Sequence, residues 1–332
     1  MIITISRWTS HYNQFIYSLF FYCESKRISF KISYSSKIPN EGILLNFNNN
    51  LCFLDYSDST IFIDKPEKYD FYFKRSLDFN SQINNIKPLN FQVNFSFKPL
   101  KLITKIPLEI LKAKSSKFEL VRALDYYSLF TNDSHQSKKI KNLWTNEIND
   151  NKGRIIFMTR LWDPARNNDS GEKERRVLQN NFRINACRII SKNFPNSITG
   201  IYPDYYAKEI AKDVLLDLKK TKKQTYISEL KKSDICIADD GLKDTPGWKI
   251  GEYAMLNKAI ISTPIKTIVE QFKSGKNYIK LEDRTDFKNL PDIINELIKS
   301  KLYLEIKENN KIWSNKYLKP DSYIENILKN CK

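Results

Sequence analysis

The chain has 332 residues, 41% of them hydrophobic, and a formal net charge of +17. That length suits two domains of about 150 residues each, and that hydrophobic content excludes a globally disordered chain. Two histidines and five cysteines, with no C-x-x-C pair, exclude a histidine-built metal site and point to reduced, structural thiols of a cytosolic protein.

The positive charge attracts anions without choosing among nucleic acid, acidic membrane surfaces, nucleotides and acidic glycans. The N-terminus, "MIITISRWTS", starts as a strand and lacks a basic leader, so no signal peptide is expected. The apolar run "FIYSLFFYC" falls far short of the ~20 residues that span a bilayer. The expectation is a cytoplasmic protein whose basic patches can meet the acidic inner face of a membrane.

In chain order, "IITIS" (2–6) predicts a buried strand, "RWTSHYNQ" a polar loop and "FIYSLFFYCES" a helix. "RISFKISYS" (27–35) predicts a second strand. "GILLNFNNNLCFLDYSD" (42–58) predicts two strands around an Asn-rich turn. "YDFYFKRSL" (69–77) and the alternating "LNFQVNFSF" (89–97) add strands, and "SSKFELVRALDYYSLF" (115–130) predicts a helix. The polar segment 131–153 holds the expected domain boundary.

The second half alternates strand and helix. "RIIFMT" (154–159) is strand-like, and 172–194 is a strong helix. Leu178, Phe182, Ala186, Ile189 and Ile190 fall at helical spacing, and Asp169 or Ser170 can cap the start. "SITGIY", "DICIA", "AIIST" and "NYIKL" predict further strands. Helices are expected over "YISELKK", about 248–256, 286–300, about 303–317 and after Pro320. This alternation implies right-handed βαβ units and a parallel sheet.

Ligands of such sheets bind beyond the carboxyl ends of the strands. Two loops of the second half belong there, "TRLWDPARNNDSGE" and "DDGLKDTPGWKIGE". Arg160 stands just past its strand, where a guanidinium suits phosphate oxygens. In the second loop Gly241, Gly247 and Gly251 crowd around Trp248, and the start of the following helix offers free N–H groups to an anion. Lys249 can neutralise phosphate, and Glu252 can accept two hydrogen bonds from a ribose diol. Turn-making glycines, a solvated Lys249 and a Glu252 paired to a neighbouring cation fit the same residues. His11, in the first strand-to-helix loop, is a candidate general base.

"DTPGWKIGEYAMLNKAIIS" resembles the donor-domain motif of GT-B-fold glycosyltransferases, the group 1 type: an acidic residue, seven residues, Glu, a small-Met-small step and a strand. Asp244 and Glu252 have that spacing. Asn257 stands where glycine is usual and Ala259 where proline is usual. "FMTRL" resembles the strand and Gly-Arg-Leu that open that domain, with Thr159 for glycine. "TRLWDP", "GWKIGEY" and "KAIIS", together with "YDFYFKRS", also resemble a subset of bacterial polysaccharide-locus glycosyltransferases. The resemblance covers about 154–282.

It implies an α/β protein of the GT-B class, two Rossmann-like domains facing each other across a cleft. Residues 1–145 would form the acceptor domain and 146–318 the donor-nucleotide domain, with a helix over 319–332 packing back on the first. Glu252 would hold the ribose, Arg160 and Lys249 the diphosphate, with Lys173 or Arg166 as the second cation. Gly241, Gly247 and Trp248 would line the donor site, and Asp244 would face the transferred sugar. The partners implied are a nucleotide-sugar donor, used as co-substrate with no cofactor, and a glycan or lipid-linked acceptor. No aspartate-metal-aspartate motif is evident, so no catalytic metal is expected. Stereochemistry is left open. The rivals are a basic nucleic-acid-binding protein, whose local candidate surface is "YDFYFKRSL", and a non-catalytic GT-B-like protein that binds a glycan or partner.

Overall fold

The structure is a computed structural model that describes residues 1–7, 9–81, 85–96, 100–112, 117, 120, 138–139, 143–145 and 147–331. Most of the helix expected over 115–130, and much of the boundary segment from 131 on, lie outside these residues. Two compact units emerge. The first comprises Met1–Asn142, Lys266–Glu270 and Asn315–Lys332, and the second Leu143–Ile265 and Gln271–Ser314. The return to the first unit thus begins at Asn315, inside a helix. The architecture is α/β with two Rossmann-like units.

The first unit is built from β1 (Ile2–Ile5), α1 (Asn13–Lys26), β2 (Lys31–Tyr34), β3 (Gly42–Phe47), β4 (Asn50–Asp55), β5 (Phe71–Lys74), β6 (Ile86–Pro88), β7 (Phe95–Ser96), α2 (Leu100–Lys112) and β8 (Lys138–Lys139). Six strands pair in the order β2-β1-β3-β4-β5-β6, and β7 pairs separately with β8. The six-stranded sheet is mixed: β3 runs antiparallel to both β1 and β4, and the other pairs are parallel. Asn48 and Asn49 join β3 to β4 with φ of 50° and 65°. Asparagine tolerates that left-handed backbone, which a two-residue hairpin needs to match strand twist.

The strand expected over 89–97 shrinks to β7. Leu89, Phe91 and Val93 are buried, but so are Asn90, Gln92 and Asn94 between them, so the alternation marks no solvent face. Side chains of α1 replace a ladder: Val93 N–H donates to Gln14 Oε1 at 2.9 Å, and Asn13 Nδ2 donates to Asn94 Oδ1 at 2.8 Å.

The second unit runs through β9 (Ile155–Thr159), α3 (Ser170–Asn193), β10 (Ile198–Ile201), α4 (Tyr205–Ile210), α5 (Leu218–Thr221), α6 (Lys223–Lys231), β11 (Ile235–Ala238), α7 (Trp248–Met255), β12 (Ala259–Ser262), β13 (Tyr278–Lys280), α8 (Leu290–Ser300) and most of α9 (Leu302–Tyr317). Its five strands are all parallel, in the order β10-β9-β11-β12-β13. Every residue of β9, β11 and β12 is buried, the signature of a sheet covered on both faces. Phe157, Ile235, Ile237 and Ile261 join Phe182, Ile190 and Ile294 in one core.

Asp169 caps α3, accepting from the Glu172 N–H at 2.7 Å. The apolar face expected on this helix is corrected in its first half. Leu178 is 45% exposed, whereas Arg175, Gln179 and Arg183 are buried beside Phe182, Ala186 and Ile190. The helix therefore presents a polar stripe toward the loops at the strand ends and an apolar one further along.

The last helix, α10 (Pro320–Lys329), packs on α1 in the first unit. Pro320 occupies its first turn, where a missing N–H costs nothing. The Tyr56 and Tyr323 hydroxyls meet at 2.8 Å, and the Cys52 and Cys331 sulfurs at 2.9 Å. No described helix is long and apolar enough to cross a membrane.

Candidate functional site

In the second unit the chain leaves β9 through α3 to β10 on one side, and β11 lies on the other. The crevice beyond the carboxyl ends of β9 and β11 is therefore the switch point at which ligands of open parallel sheets bind. Arg160 follows β9, and Asp239 and Asp240 follow β11.

The polar stripe of α3 organises this edge. Arg183 Nε donates to Asp239 Oδ2 at 2.6 Å, and its Nη1 donates to the Arg160 carbonyl at 2.6 Å, so one side chain ties both strand ends. Gln179 donates to the Asp240 carbonyl. Arg175 Nη1 reaches the Gly241 carbonyl at 2.8 Å, while Glu172 braces the same guanidinium at 2.7 and 2.8 Å. Asn180 exchanges two bonds with the backbone of Trp162, at 3.0 and 2.7 Å. The sequence analysis did not single out these residues. Their signal is polar residues at positions 175, 179 and 183, one face at helical spacing.

Arg160 is held differently. Its guanidinium carbon lies 3.7 Å from the centroid of the Trp162 ring, a cation–π stack, and it makes no ion pair among the described residues. Burial, and then the neighbouring Arg183 charge, pull its pKa below the usual arginine value. Stacking fixes the plane of the fork and leaves its in-plane donors available for an oxyanion. Of the cations expected here, Lys173 is exposed in the first turn of α3, and Arg166 is exposed 3.5 Å from Asp163.

The second loop is tightly braced. A Cβ on Gly241 would lie 3.1 Å from the Thr245 carbonyl and 3.3 Å from Gly247 Cα, so these glycines let the loop close on itself. Arg284, past the end of β13, donates to Asp240 and to Asp244, so the Asp244 carboxylate is held by a guanidinium. Burial pushes the Asp240 carboxyl up, and Arg284 draws it down again only in part. Gly247 is the N-cap of α7 and Trp248 its first residue.

Lys249 donates to the Met158 carbonyl at the end of β9. Glu252 is 3% exposed and accepts from the Tyr226 hydroxyl of α6 at 3.0 Å. Glu252 thus lies on the buried side of α7, with a hydroxyl donor at one oxygen. The sequence does not reveal the Tyr226 partner, which comes from the preceding helix.

His11 belongs to the first unit, in the loop after β1, where Gln92 donates to its carbonyl. Burial, and then the Arg75 charge, lower its pKa below the usual value, while Asp58 opposes them. The surface that a nucleic-acid binder would need in "YDFYFKRSL" is core instead. Tyr72 and Lys74 are fully buried, and Lys74 pairs with Asp55 at 2.9 Å. A cavity of about 160 Å³ in the second unit, lined by Lys231, Lys258 and Lys307, sits at the amino ends of the strands, away from the crevice. There Lys258 donates to the Lys231 and Ser233 carbonyls, and burial lowers its pKa to about 8.

No protein-family model and no curated protein matches the chain. Solved structures do. One is the C-terminal domain of LpcC, a glycosyl transferase group 1 family protein from Francisella tularensis. It shares 16% identity at a TM-score of 0.38, over 53% of this chain and 95% of that one. A glycosyltransferase from Rickettsia africae shares 12% at 0.44, over 97% and 80%. Anabaena HepE, solved in complex with UDP-glucose, shares 12% at 0.38, over 79% of each chain. The first two carry glycosyltransferase names, and the likeness is one of fold.

Proposed function

We propose that the chain is a glycosyltransferase that moves a sugar from a nucleotide-sugar donor to a hydroxyl of a glycan or lipid-linked acceptor. The observation that carries this reading is Arg160, a guanidinium stacked on Trp162 with no ion pair among the described residues, at the switch point of a parallel sheet. The "GWKIGEY" motif, opening α7 beside that edge, supports it.

In this reading the donor diphosphate lies across the crevice, against Arg160 and the first N–H groups of α7. As the bond to the sugar breaks, charge grows on the leaving phosphate. A fork already fixed by its aromatic platform stabilises that charge without reorganising. Arg183 and Arg175, already committed to Asp239 and Glu172, hold the loops rather than the ligand. Glu252 takes the ribose, with Tyr226 orienting its carboxylate, and Asp244 lies toward the sugar. Neutralisation by arginine makes a metal unnecessary. A place in surface polysaccharide synthesis, at the cytoplasmic face of a membrane, fits the resemblance in sequence.

A thermal-shift panel of UDP, GDP, dTDP and CMP species tests the donor site. A ligand at 100 times its Kd adds about 2.7 kcal/mol. No shift with any of them, or a shift that survives Arg160→Gln, overturns the reading. Donor hydrolysis without acceptor separates an enzyme from a non-catalytic binder of the same fold.

A further inference from the structure

The second sheet carries a polar cluster at its other edge, the amino ends of β9, β11 and β12. The cavity of about 160 Å³ there is lined by Lys231 at the end of α6, Asn257 and Lys258 before β12, Lys307 of α9 and Glu147. Hydrogen bonds tie these residues together. Lys258 Nζ donates to the Lys231 carbonyl at 2.9 Å and to the Ser233 carbonyl at 2.6 Å. Asn257 Nδ2 donates to the Thr145 carbonyl at 2.9 Å and to the Glu147 carbonyl at 3.4 Å. Lys307 donates to the Asn149 carbonyl and to Asp234.

Two partners are missing from this cluster. Lys258 is 5% exposed, yet its acceptors are neutral carbonyls and it makes no ion pair among the described residues. Burial lowers its pKa only to about 8, so the ammonium stays charged at neutral pH, with one of its three N–H groups uncommitted among the described residues. Asp234 is taken up by Lys307 and by the N–H groups of Asn151 and Gly153, at 2.7 and 3.0 Å. Asn257 keeps its Oδ1 buried without a donor. Its backbone is left-handed at φ 55°, in the place after α7 that glycine occupies most readily. Asparagine there puts an amide on the cavity wall that glycine would not.

We propose that this cavity binds phosphate, whose oxygens accept from Lys258, Lys307 and Lys231 and whose P–O–H group donates to Asn257 Oδ1. A cavity of this size takes one phosphate group rather than a nucleotide. Glu147 is the carboxylate on the lining, and it is exposed, so solvent screens its charge more than that of buried Lys258. The site lies at the opposite edge of the sheet from the crevice and does not rest on the glycosyltransferase reading.

The test is calorimetric titration of the full chain with inorganic phosphate and with sulfate, at neutral pH and constant ionic strength. Sulfate carries the larger charge but no O–H, so a site of charge alone would prefer it. Phosphate should bind about tenfold tighter, the cost of leaving one buried acceptor unpaired. Because Lys258 also holds two carbonyls, the variants are placed beside it. Asn257→Gly keeps the left-handed turn and should abolish the preference over sulfate. Lys231→Gln should weaken phosphate binding, and Glu147→Gln should tighten it. No phosphate binding, equal binding of both ions, or a preference that survives Asn257→Gly each overturns the proposal. Binding that UDP displaces, or that Arg160→Gln abolishes, belongs to the crevice and overturns it as well. Glycerol phosphate separates the sources: if it binds too, the ligand is a phosphate monoester, and if only the inorganic ion binds, it is free phosphate. Phosphate binding without any UDP shift removes the donor site and leaves this one.

Discussion

The guanidinium of Arg183 meets the carboxylate of Asp239 at 2.6 Å, in a pair whose side chains are 8% and 9% exposed. Arg160, whose carbonyl the same guanidinium holds, stacks on Trp162 and makes no ion pair among the described residues. Two arginines at one edge therefore have different tasks, and substitution separates them. Arg183→Gln leaves Asp239 buried and unpaired, which costs about 3–5 kcal/mol of stability. Arg160→Gln changes a residue that makes no ion pair among the described residues, and stability should move by about 0.5 kcal/mol or less. Nucleotide binding should be lost in the second variant while the fold is kept. Chemical denaturation and a nucleotide titration on both proteins check this, and equal stability losses would count against it.

Glu252→Gln isolates the ribose contact. Glutamine keeps an acceptor for the Tyr226 hydroxyl, so the melting temperature should change little. The donor Kd should rise roughly ten- to a hundredfold, the loss of one charge-assisted hydrogen bond. Tyr226→Phe should act in the opposite sense and lower stability by about 1–3 kcal/mol, because the buried carboxylate loses a donor. An unchanged donor constant in Glu252→Gln would take Glu252 out of the site.

His11 gives the fold a pH dependence of known sign. Its folded pKa lies below the 6.5 of a free imidazole, through burial first and Arg75 next. As pH falls below 6.5, the unfolded chain takes up the proton before the folded one does, so stability declines through that window. Above it both forms are neutral and the contribution is flat. In His11→Gln the acid limb of a melting-temperature profile should be shallower. Identical limbs in both proteins would show that His11 titrates normally.

The sulfurs of Cys52 and Cys331, 279 residues apart in sequence, lie 2.9 Å apart as free thiols. Thiol–disulfide exchange with oxidised glutathione in denaturant, followed by refolding, should give an intramolecular Cys52–Cys331 bond. Peptide mapping under non-reducing conditions reads it out. Fastening α10 to β4 over so long a loop should raise the melting temperature, and Cys331→Ser should abolish the gain.

Much of the site was legible as position and little of it as partnership. Arg160 and the loop after β11 follow from the strand–helix alternation, since the carboxyl ends of parallel strands locate the crevice. The stacking of Arg160 was not visible, because it depends on the turn that brings Trp162 back over the guanidinium. Glycine crowding, which the sequence leaves open between a ligand loop and a tight turn, closes the loop on itself, with Gly241 against Gly247. Lys249, read as a phosphate partner, reaches the Met158 carbonyl on a strand 91 residues earlier.

By itself the sequence determined the elements whose signal is local. Apolar runs of four or five residues became the strands of the second sheet, Asp169 became the cap of α3, and Asn48 and Asn49 became the hairpin turn, because periodicity, capping and left-handed tolerance act within a few residues. Only the tertiary structure decided which polar groups were buried together. The i, i+4, i+8 stripe of Arg175, Gln179 and Arg183 is as hydrophilic as any solvated helix face until the loop at 239–241 covers it. The segment 89–95 alternates like a strand until α1 supplies partners for the Val93 N–H and the Asn94 side chain. The pair of Arg183 and Asp239 joins residues 56 positions apart, and its energy exists only once water has been excluded around it.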